Sequence, residues 1–200
     1  MLPQLARSSV RENITFGSSP PPPRASSRVR GALPIGLTLL AAVAYGIVHD
    51  QVTARVCVEY FTIGHPPLIP STSPTLLGLA WGVVATWWVG LPLGFMLAAA
   101  ARLGPRPKLG AAQFMPLVAR LLAIMGAAAL VAGIVGFVLA VQGKVALPPM
   151  LAEAIPAAAR SRFLADWWAH SASYASGILG GIIVAVSAYL RRRSLHARTA

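Results

Sequence analysis

Side chains that could bind a metal ion or form a polar latch are concentrated in two short stretches of this 200-residue sequence. The cluster comprises His49, Asp50, Arg55, Glu59, Tyr60, His65, Asp166, His170, Ser173 and Tyr174. Neutral imidazoles and carboxylates are the usual protein ligands of zinc, iron and manganese. One hypothesis is therefore a metal site, although the spacing matches no established motif such as H-E-x-x-H. Its ligands would be His49, Glu59, His65 and His170.

Helical spacing would bring parts of this cluster onto common faces. Asp166, His170 and Ser173 differ by three or four positions, so a helix carries them on one face. Tyr45 and His49 share a face of an earlier helix for the same reason. If the two faces meet, histidines and carboxylates converge.

Three other interpretations of the cluster are open. The favoured one is a polar latch, in which Arg55 pairs with Glu59 or Asp50 and holds a loop against the helix ends; it needs no cofactor. Haem b with His49 and His170 as axial ligands is disfavoured, because both residues lie at the ends of apolar runs. A small-solute carrier would require a cavity through the protein, which a sequence does not reveal.

The elements that position the cluster are apolar. Hydrophobic residues make up 56% of the sequence and charged residues 11%, whereas soluble domains carry about 25% charged residues. Four apolar stretches are long enough to cross a bilayer as helices. They cover residues 31–49, 75–101, 117–141 and 171–190. The sequence therefore predicts an all-α four-transmembrane-helix bundle over residues 31–193.

Basic residues predict the orientation of this bundle. Of the seventeen Lys and Arg residues, thirteen fall on one side of the four stretches when the sides alternate, and four on the other. Because cytoplasmic segments are enriched in Lys and Arg, we expect both termini in the cytoplasm of a bacterium and the chain in its inner membrane. The formal charge of +12 therefore reflects topology, and nucleic acid is not an expected partner.

The segments outside the spans have their own patterns. Residues 1–30 are rich in Arg, Pro and Ser and are expected to be disordered, and residues 194–200 form a cytoplasmic tail. Alternating residues over 52–62 predict a strand-like periplasmic loop. Aromatic residues over 156–168 predict a short interfacial helix that continues into the fourth span. Cleavage of the first span as a signal peptide, after Ala44, is an alternative.

Small residues four positions apart recur within the spans. Gly78 and Gly82, Gly90 and Gly94, and Gly177 and Gly181 are such pairs. Small residues allow close helix packing in lipid, where no hydrophobic effect drives helices together. Besides the bilayer, the expected partners are therefore a second copy of the chain or another membrane protein.

The run HDQVTARVCVEYFTIGHP, residues 49–66, resembles a loop of uncharacterised multi-pass bacterial membrane proteins. The resemblance implies a four-span inner-membrane protein and carries no activity with it. The favoured function is a structural or interaction component of the membrane. One alternative is a metal-binding site on the periplasmic face, as in a membrane-embedded metal-dependent hydrolase. The other is a small-solute carrier.

Overall fold

The structure is a computed structural model that describes residues 27–197, with side chains placed from residue 32 onward. Most of the predicted N-terminal tail and the last three residues lie outside this range. The helices are α1 (Ser27–Val56), α2 (Val58–Thr62), α3 (Pro74–Val84), α4 (Trp87–Arg102), α5 (Ala111–Val141), α6 (Pro149–Ala154) and α7 (Arg160–Ala197). A 3₁₀ turn, Ala157–Ala159, leads directly into α7.

Four helical segments within this range are long and apolar enough to cross a membrane. They are Ala32–Val56, Pro74–Arg102, Ala111–Val141 and Ala157–Ala197. Between 11 and 22% of the residues in their most apolar stretches are buried inside the chain, so most of their apolar side chains face outward. Such a surface suits lipid, which also requires each spanning segment to satisfy its own backbone hydrogen bonds. The prediction of an all-α bundle with four such helices is confirmed.

Close packing joins α1 to α3 and α4, while α5 packs along α7. Glycine makes the first of these contacts possible. A Cβ atom added to Gly82 on α3 would lie 2.5 Å from Cα of Ile47 on α1, and one added to Gly46 would lie 2.5 Å from the Gly82 carbonyl oxygen. The two backbones therefore touch where both helices carry glycine. Part of the small-residue pattern packs helices within this chain.

The prediction of a strand over residues 52–62 is wrong. Helix α1 continues to Val56, one extended residue follows at Cys57, and α2 begins at Val58. The buried side chains here recur at the spacings of three and four residues that a helix produces; they are Thr53, Ala54, Cys57, Tyr60 and Phe61. The alternation suggested a strand because apolar and β-branched residues fall at every second position, but Val52 and Val56 are exposed on the helix surface.

The segment over residues 156–168 is helical, as its aromatic residues suggested. It forms the 3₁₀ turn and the first turns of α7, so it is the beginning of the fourth long helix. Phe163 and Leu164 are buried against α2 and α3, whereas Trp167 is partly exposed. Its location at a bilayer interface stays a prediction.

The opposite end of the bundle is held by Arg192 on α7. Its guanidinium group donates to the carbonyl oxygens of Ala100, Leu103, Arg106 and Pro107, at distances from 2.7 to 3.2 Å. The side chain is buried, and it satisfies carbonyl groups at the end of α4 that no longer have a helical partner. Arg192 therefore anchors the α4–α5 connection to α7.

Candidate functional site

Three side chains of metal-ligating type converge between α1 and α7. His49 and Asp50 are consecutive on α1, and His170 lies on α7. One ligand atom from each residue lies within 4.8 Å of the other two, and no other such group of three occurs in residues 27–197. Because α1 continues six residues beyond Asp50, the site lies about two turns inside the helix and not at its end.

Hydrogen bonds fix the orientation of His170. Its Nδ1 atom lies 2.8 Å from the backbone carbonyl oxygen of Asp166, which can only accept, so we assign the proton to Nδ1. The Nε2 atom lies 3.2 Å from Oδ1 of Asp50. In a neutral imidazole, Nε2 then presents a lone pair toward the Asp50 carboxyl group. A proton or a cation shared between the two atoms resolves this contact.

His49 completes the group from the other side. Its ring stacks on Tyr45 one turn earlier, with centroids 5.7 Å apart, and meets the His170 ring edge to face at 4.5 Å. The Nε2 atom of His49 is buried and has no hydrogen-bond partner. Buried polar atoms are nearly always paired, so an unpaired imidazole nitrogen beside a carboxylate is a feature that needs a physical reason.

Asp166 supplies a second carboxyl group next to the site. It is 1% exposed, and its Oδ2 atom has no hydrogen-bond partner. Asp50 lies near enough to interact electrostatically with the Asp166 carboxyl group. Two buried acids are therefore close together, and the imidazoles of His49 and His170 lie beside Asp50.

Aromatic side chains from α2 hold the His170 ring in place. Tyr60 stacks on it with centroids 4.5 Å apart and an interplanar angle of 26°, and Phe61 contacts its edge. Burial raises the pKa of Tyr60 above its ordinary value, and the neighbouring Asp166 carboxyl adds to the effect. The phenol therefore stays protonated at neutral pH and adds no negative charge to the site.

Two of the predicted metal ligands lie apart from this group. The Nδ1 atom of His65 lies 2.8 Å from the Tyr60 carbonyl oxygen, and its ring contacts Tyr60 and Trp81. Glu59 accepts a hydrogen bond from the Cys57 thiol at 3.3 Å. Neither belongs to the group formed by His49, Asp50 and His170. Asp50, which the sequence placed in the cluster but not in the ligand set, belongs to it.

Arg55 does form a latch, but with other partners than the sequence suggested. It donates to the side chain of Gln51 at 2.7 Å and to the Thr75 hydroxyl at 2.8 Å, instead of to Glu59 or Asp50. Thr75 is the second residue of α3, so Arg55 ties the end of α1 to the start of α3. The partners of Arg55 in this latch, Gln51 and Thr75, do not belong to the predicted polar cluster.

The remaining predicted residues line the space below the histidines. Ser173 and Tyr45 share a hydrogen bond of 2.8 Å between α7 and α1. The Tyr174 hydroxyl donates to the Ala85 carbonyl oxygen at 3.2 Å, where α3 ends. Tyr45 was absent from the predicted cluster, although its position one turn before His49 was a signal that could have included it.

A cavity of about 800 Å³ opens beneath this site, inside the bundle. His49, Asp50, His170 and Ser173 form its polar end. Its other walls are mostly apolar side chains of α1, α4, α5 and α7, among them Leu93, Leu97, Val118, Leu121, Met125 and Ile182. The polar group therefore faces an apolar chamber, an arrangement common in sites for small ligands.

The geometry discriminates between the cofactors considered from the sequence. A haem held by two histidines lies between their rings, but here the rings of His49 and His170 are in direct contact at 4.5 Å. A haem between them would require the two rings to move apart. A single ion bound at about 2.0–2.1 Å places tetrahedral ligand atoms roughly 3.4 Å apart. The His170–Asp50 distance of 3.2 Å suits this spacing, and the ligand atom of His49 lies within 4.8 Å of both.

No family model matches this chain, and neither do the curated proteins or the solved structures with which it was compared. The resemblance of residues 49–66 to a loop of multi-pass bacterial membrane proteins stays a prediction. Function must accordingly be inferred from the chemistry of the site and not from the fold.

Proposed function

We propose that this chain is a metalloprotein of the bacterial inner membrane, in which His49, Asp50 and His170 bind one divalent transition-metal ion. The observation that carries the proposal is the convergence of one ligand atom from each residue within 4.8 Å, between two apolar helices. Ionisable residues in membrane helices are costly and usually serve a function.

The surroundings of His170 support metal binding. Histidines that bind metals almost always donate their second ring N–H to a carboxylate or a backbone carbonyl, which fixes the free nitrogen toward the ion. His170 does so through Nδ1 to the Asp166 carbonyl. The unpaired Nε2 atom of His49 is a second nitrogen that an ion would satisfy. A bound ion would therefore explain both the fixed orientation of the His170 ring and the unpaired Nε2 atom of His49.

Charge balance also supports a divalent cation. Asp50 is buried and its carboxyl group lies beside two imidazoles, and burial of an unpaired carboxylate is strongly unfavourable. A divalent ion bound between Asp50 and the two histidines would compensate this charge within the buried site.

Two imidazoles and one carboxylate form a donor set used by zinc and by ferrous iron, and three protein ligands leave coordination positions open. The open positions would face the cavity, because His49, Asp50 and His170 all line it. A metal in such a site polarises a carbonyl group or activates a water molecule. With an activated water molecule as the nucleophile, such a site would hydrolyse its substrate.

Metal content tests the proposal directly. Protein purified in detergent without chelator should contain about one zinc or iron ion per chain by mass spectrometry, and His49→Ala and His170→Ala should each lose most of it. His196→Ala is the matched control, because His196 lies on the same helix as His170 near its far end. Equal metal content in all four proteins, or none in the wild type, would contradict the proposal.

We further propose that the metal site lies at the periplasmic end and that both termini are cytoplasmic. The distribution of Lys and Arg supports this orientation, since Arg102 and Arg192 lie at the end opposite to His49. In a Cys57→Ala background, Thr72→Cys should react with an impermeant maleimide in intact spheroplasts, and Leu103→Cys only after lysis. The reverse pattern would contradict the orientation.

A structural role in the membrane is the second candidate, and the Arg55 latch favours it. Arg55 joins α1 to α3 through Gln51 and Thr75 and has no contact with the metal-ligating group. A purely structural protein would depend on this latch and not on metal. Full stability of His170→Ala together with absence of metal from the wild type would favour this candidate.

A further inference from the structure

The cavity beneath the histidines has its opening toward lipid. Four of its lining side chains are substantially exposed on the outer surface of α4 and α7: Trp88, Met96, Ile178 and Ile182. Its floor is formed by buried side chains, among them Thr38, Leu97 and Val118. All of these residues lie within helices long and apolar enough to cross a membrane. A ligand that enters between α4 and α7 therefore comes from the bilayer and not from water.

From this geometry we infer that the cavity binds an uncharged single-chain amphiphile from the bilayer, with its head group at His49 and His170 and its chain along α4 and α7. This rests on the proposed function in one respect, because it names the substrate class of the proposed metal site. The shape of the cavity and its apolar walls are independent of the metal.

The size of the cavity favours one chain. About 800 Å³ lies within the range of roughly 300–1,000 Å³ that small-molecule sites occupy. The chamber is also closed at its floor, where Leu97, Val118 and Leu121 pack together in one buried cluster. A ligand with one acyl chain and a small head fits this space better than a phospholipid with two chains.

The charges at the polar end favour an uncharged head. No Lys or Arg residue lines the cavity, whereas Asp50 does and Asp166 lies behind it. An anionic head would lack a partner among the lining side chains and meet these acids, which is costly in a site without water. A cationic head would compete with the proposed metal ion. A hydroxyl or ester group, by contrast, can hydrogen-bond to Ser173 and present an oxygen to the metal.

The inference is tested by photolabelling of the full chain in detergent with a diazirine-bearing monoacylglycerol. Labelled peptides should map to α4 and α7 residues that line the cavity. Unlabelled monopalmitoylglycerol should compete at least tenfold better than palmitate or hexadecane, because palmitate has a charged head and hexadecane has none.

Val89→Trp and Val84→Trp form a matched pair of variants. Val89 lines the cavity, so a larger side chain should fill it and reduce labelling at least fivefold; Val84 lies outside it and is exposed, so its variant should label like the wild type. Metal content measured on the same preparations separates the two proposals. Bound metal with equal labelling of both variants would overturn the inference alone. Labelling that maps to the cavity in a protein without metal would overturn the proposed function.

Discussion

The Nε2 atom of His170 lies 3.2 Å from Oδ1 of Asp50, although the two residues are 120 positions apart in the chain. This contact links α7 to α1, which otherwise touch at few points. It also brings a lone pair and a carboxyl oxygen together in a buried environment. The same pair can therefore serve as a helix-to-helix hydrogen bond or as two ligands of one ion.

Asp50→Asn should separate these two roles. An asparagine amide can donate to Nε2 of His170, so the hydrogen bond is kept, but an amide is a weaker ligand than a carboxylate for zinc or iron. We expect most of the metal to be lost. After treatment with chelator, the variant and the wild type should differ in free energy of unfolding by about 1 kcal/mol or less. Full metal content in the variant would show that Asp50 is not a ligand.

The α1–α3 contact should tolerate no side chain at Gly82. Alanine there would bring Cβ to 2.5 Å from the Ile47 backbone, so the helices must separate. We expect Gly82→Ala to destabilise the protein by about 1–3 kcal/mol, measured by thermal unfolding in detergent.

Gly36→Ala provides the control on α1, because a Cβ atom at Gly36 meets nothing within 4 Å. It should stabilise the protein by roughly 0.5–1 kcal/mol through reduced backbone entropy of the unfolded chain. If both alanine variants behaved alike, the close α1–α3 approach would be refuted.

Removal of the Arg192 side chain should loosen the α4–α5 connection. Arg192→Ala leaves the carbonyl groups of Ala100, Leu103 and Pro107 without their donor, at a cost of about 2 kcal/mol or more. Arg192→Lys should recover only part of this loss, because an ammonium group cannot reproduce the planar fork of donors.

Arg193→Ala is the comparison for Arg192, since Arg193 is exposed on the same helix. It should change the unfolding temperature little. Limited proteolysis between Leu103 and Gly110 gives a second measure, with faster cleavage expected for Arg192→Ala alone. Equal cleavage rates in the two alanine variants would argue against the anchoring role.

The long apolar helices could be predicted from the sequence because lipid-facing surfaces leave a compositional signal. Helical spacing also placed Asp166, His170 and Ser173 on one face, and His170 and Ser173 on this face do contact α1. The strand over 52–62 could not be distinguished from a helix, because an apolar residue at every second position is also compatible with a helix when lipid covers the exposed side chains. In water, exposed Val52 and Val56 would argue against that helix; in lipid they do not.

The membership of the site was harder to predict. His65 and His170 have the same chemistry, and only the path of α2 decides that His65 bonds to the Tyr60 carbonyl while His170 faces Asp50. The sequence placed Asp50 in the polar cluster, but the orientation of its carboxyl group depends on a contact with a residue 120 positions away. Spacing along the chain contains no information about such a contact.

Cys57 should be a poorly reactive thiol. It is buried, and burial raises its pKa to about 12, with the hydrogen bond to Glu59 as the second cause. Because the thiolate is the reactive form, N-ethylmaleimide at pH 8 should modify Cys57 roughly a thousandfold more slowly than an exposed cysteine. Cys57→Ala with Thr72→Cys supplies that exposed cysteine. Comparable rates at the two positions would show that the thiol is accessible.

The raised pKa of Cys57 should also make the folded state less stable at alkaline pH. The folded state holds the Cys57 proton up to a pKa of about 12, whereas the unfolded chain releases it near the ordinary thiol pKa of 9.0. Below pH 9 both states carry the proton, so the full stability is present; as the pH rises from about 9 toward 12, only the unfolded state loses it, and folding becomes less favourable.

The raised pKa of Tyr60 acts in the same direction. Cys57→Ala should therefore flatten the decline of unfolding temperature between pH 9 and pH 11, and Tyr60→Phe should flatten it in the upper part of that range. A decline of equal steepness in Cys57→Ala and the wild type would mean that the thiol is not protected from ionisation by its burial.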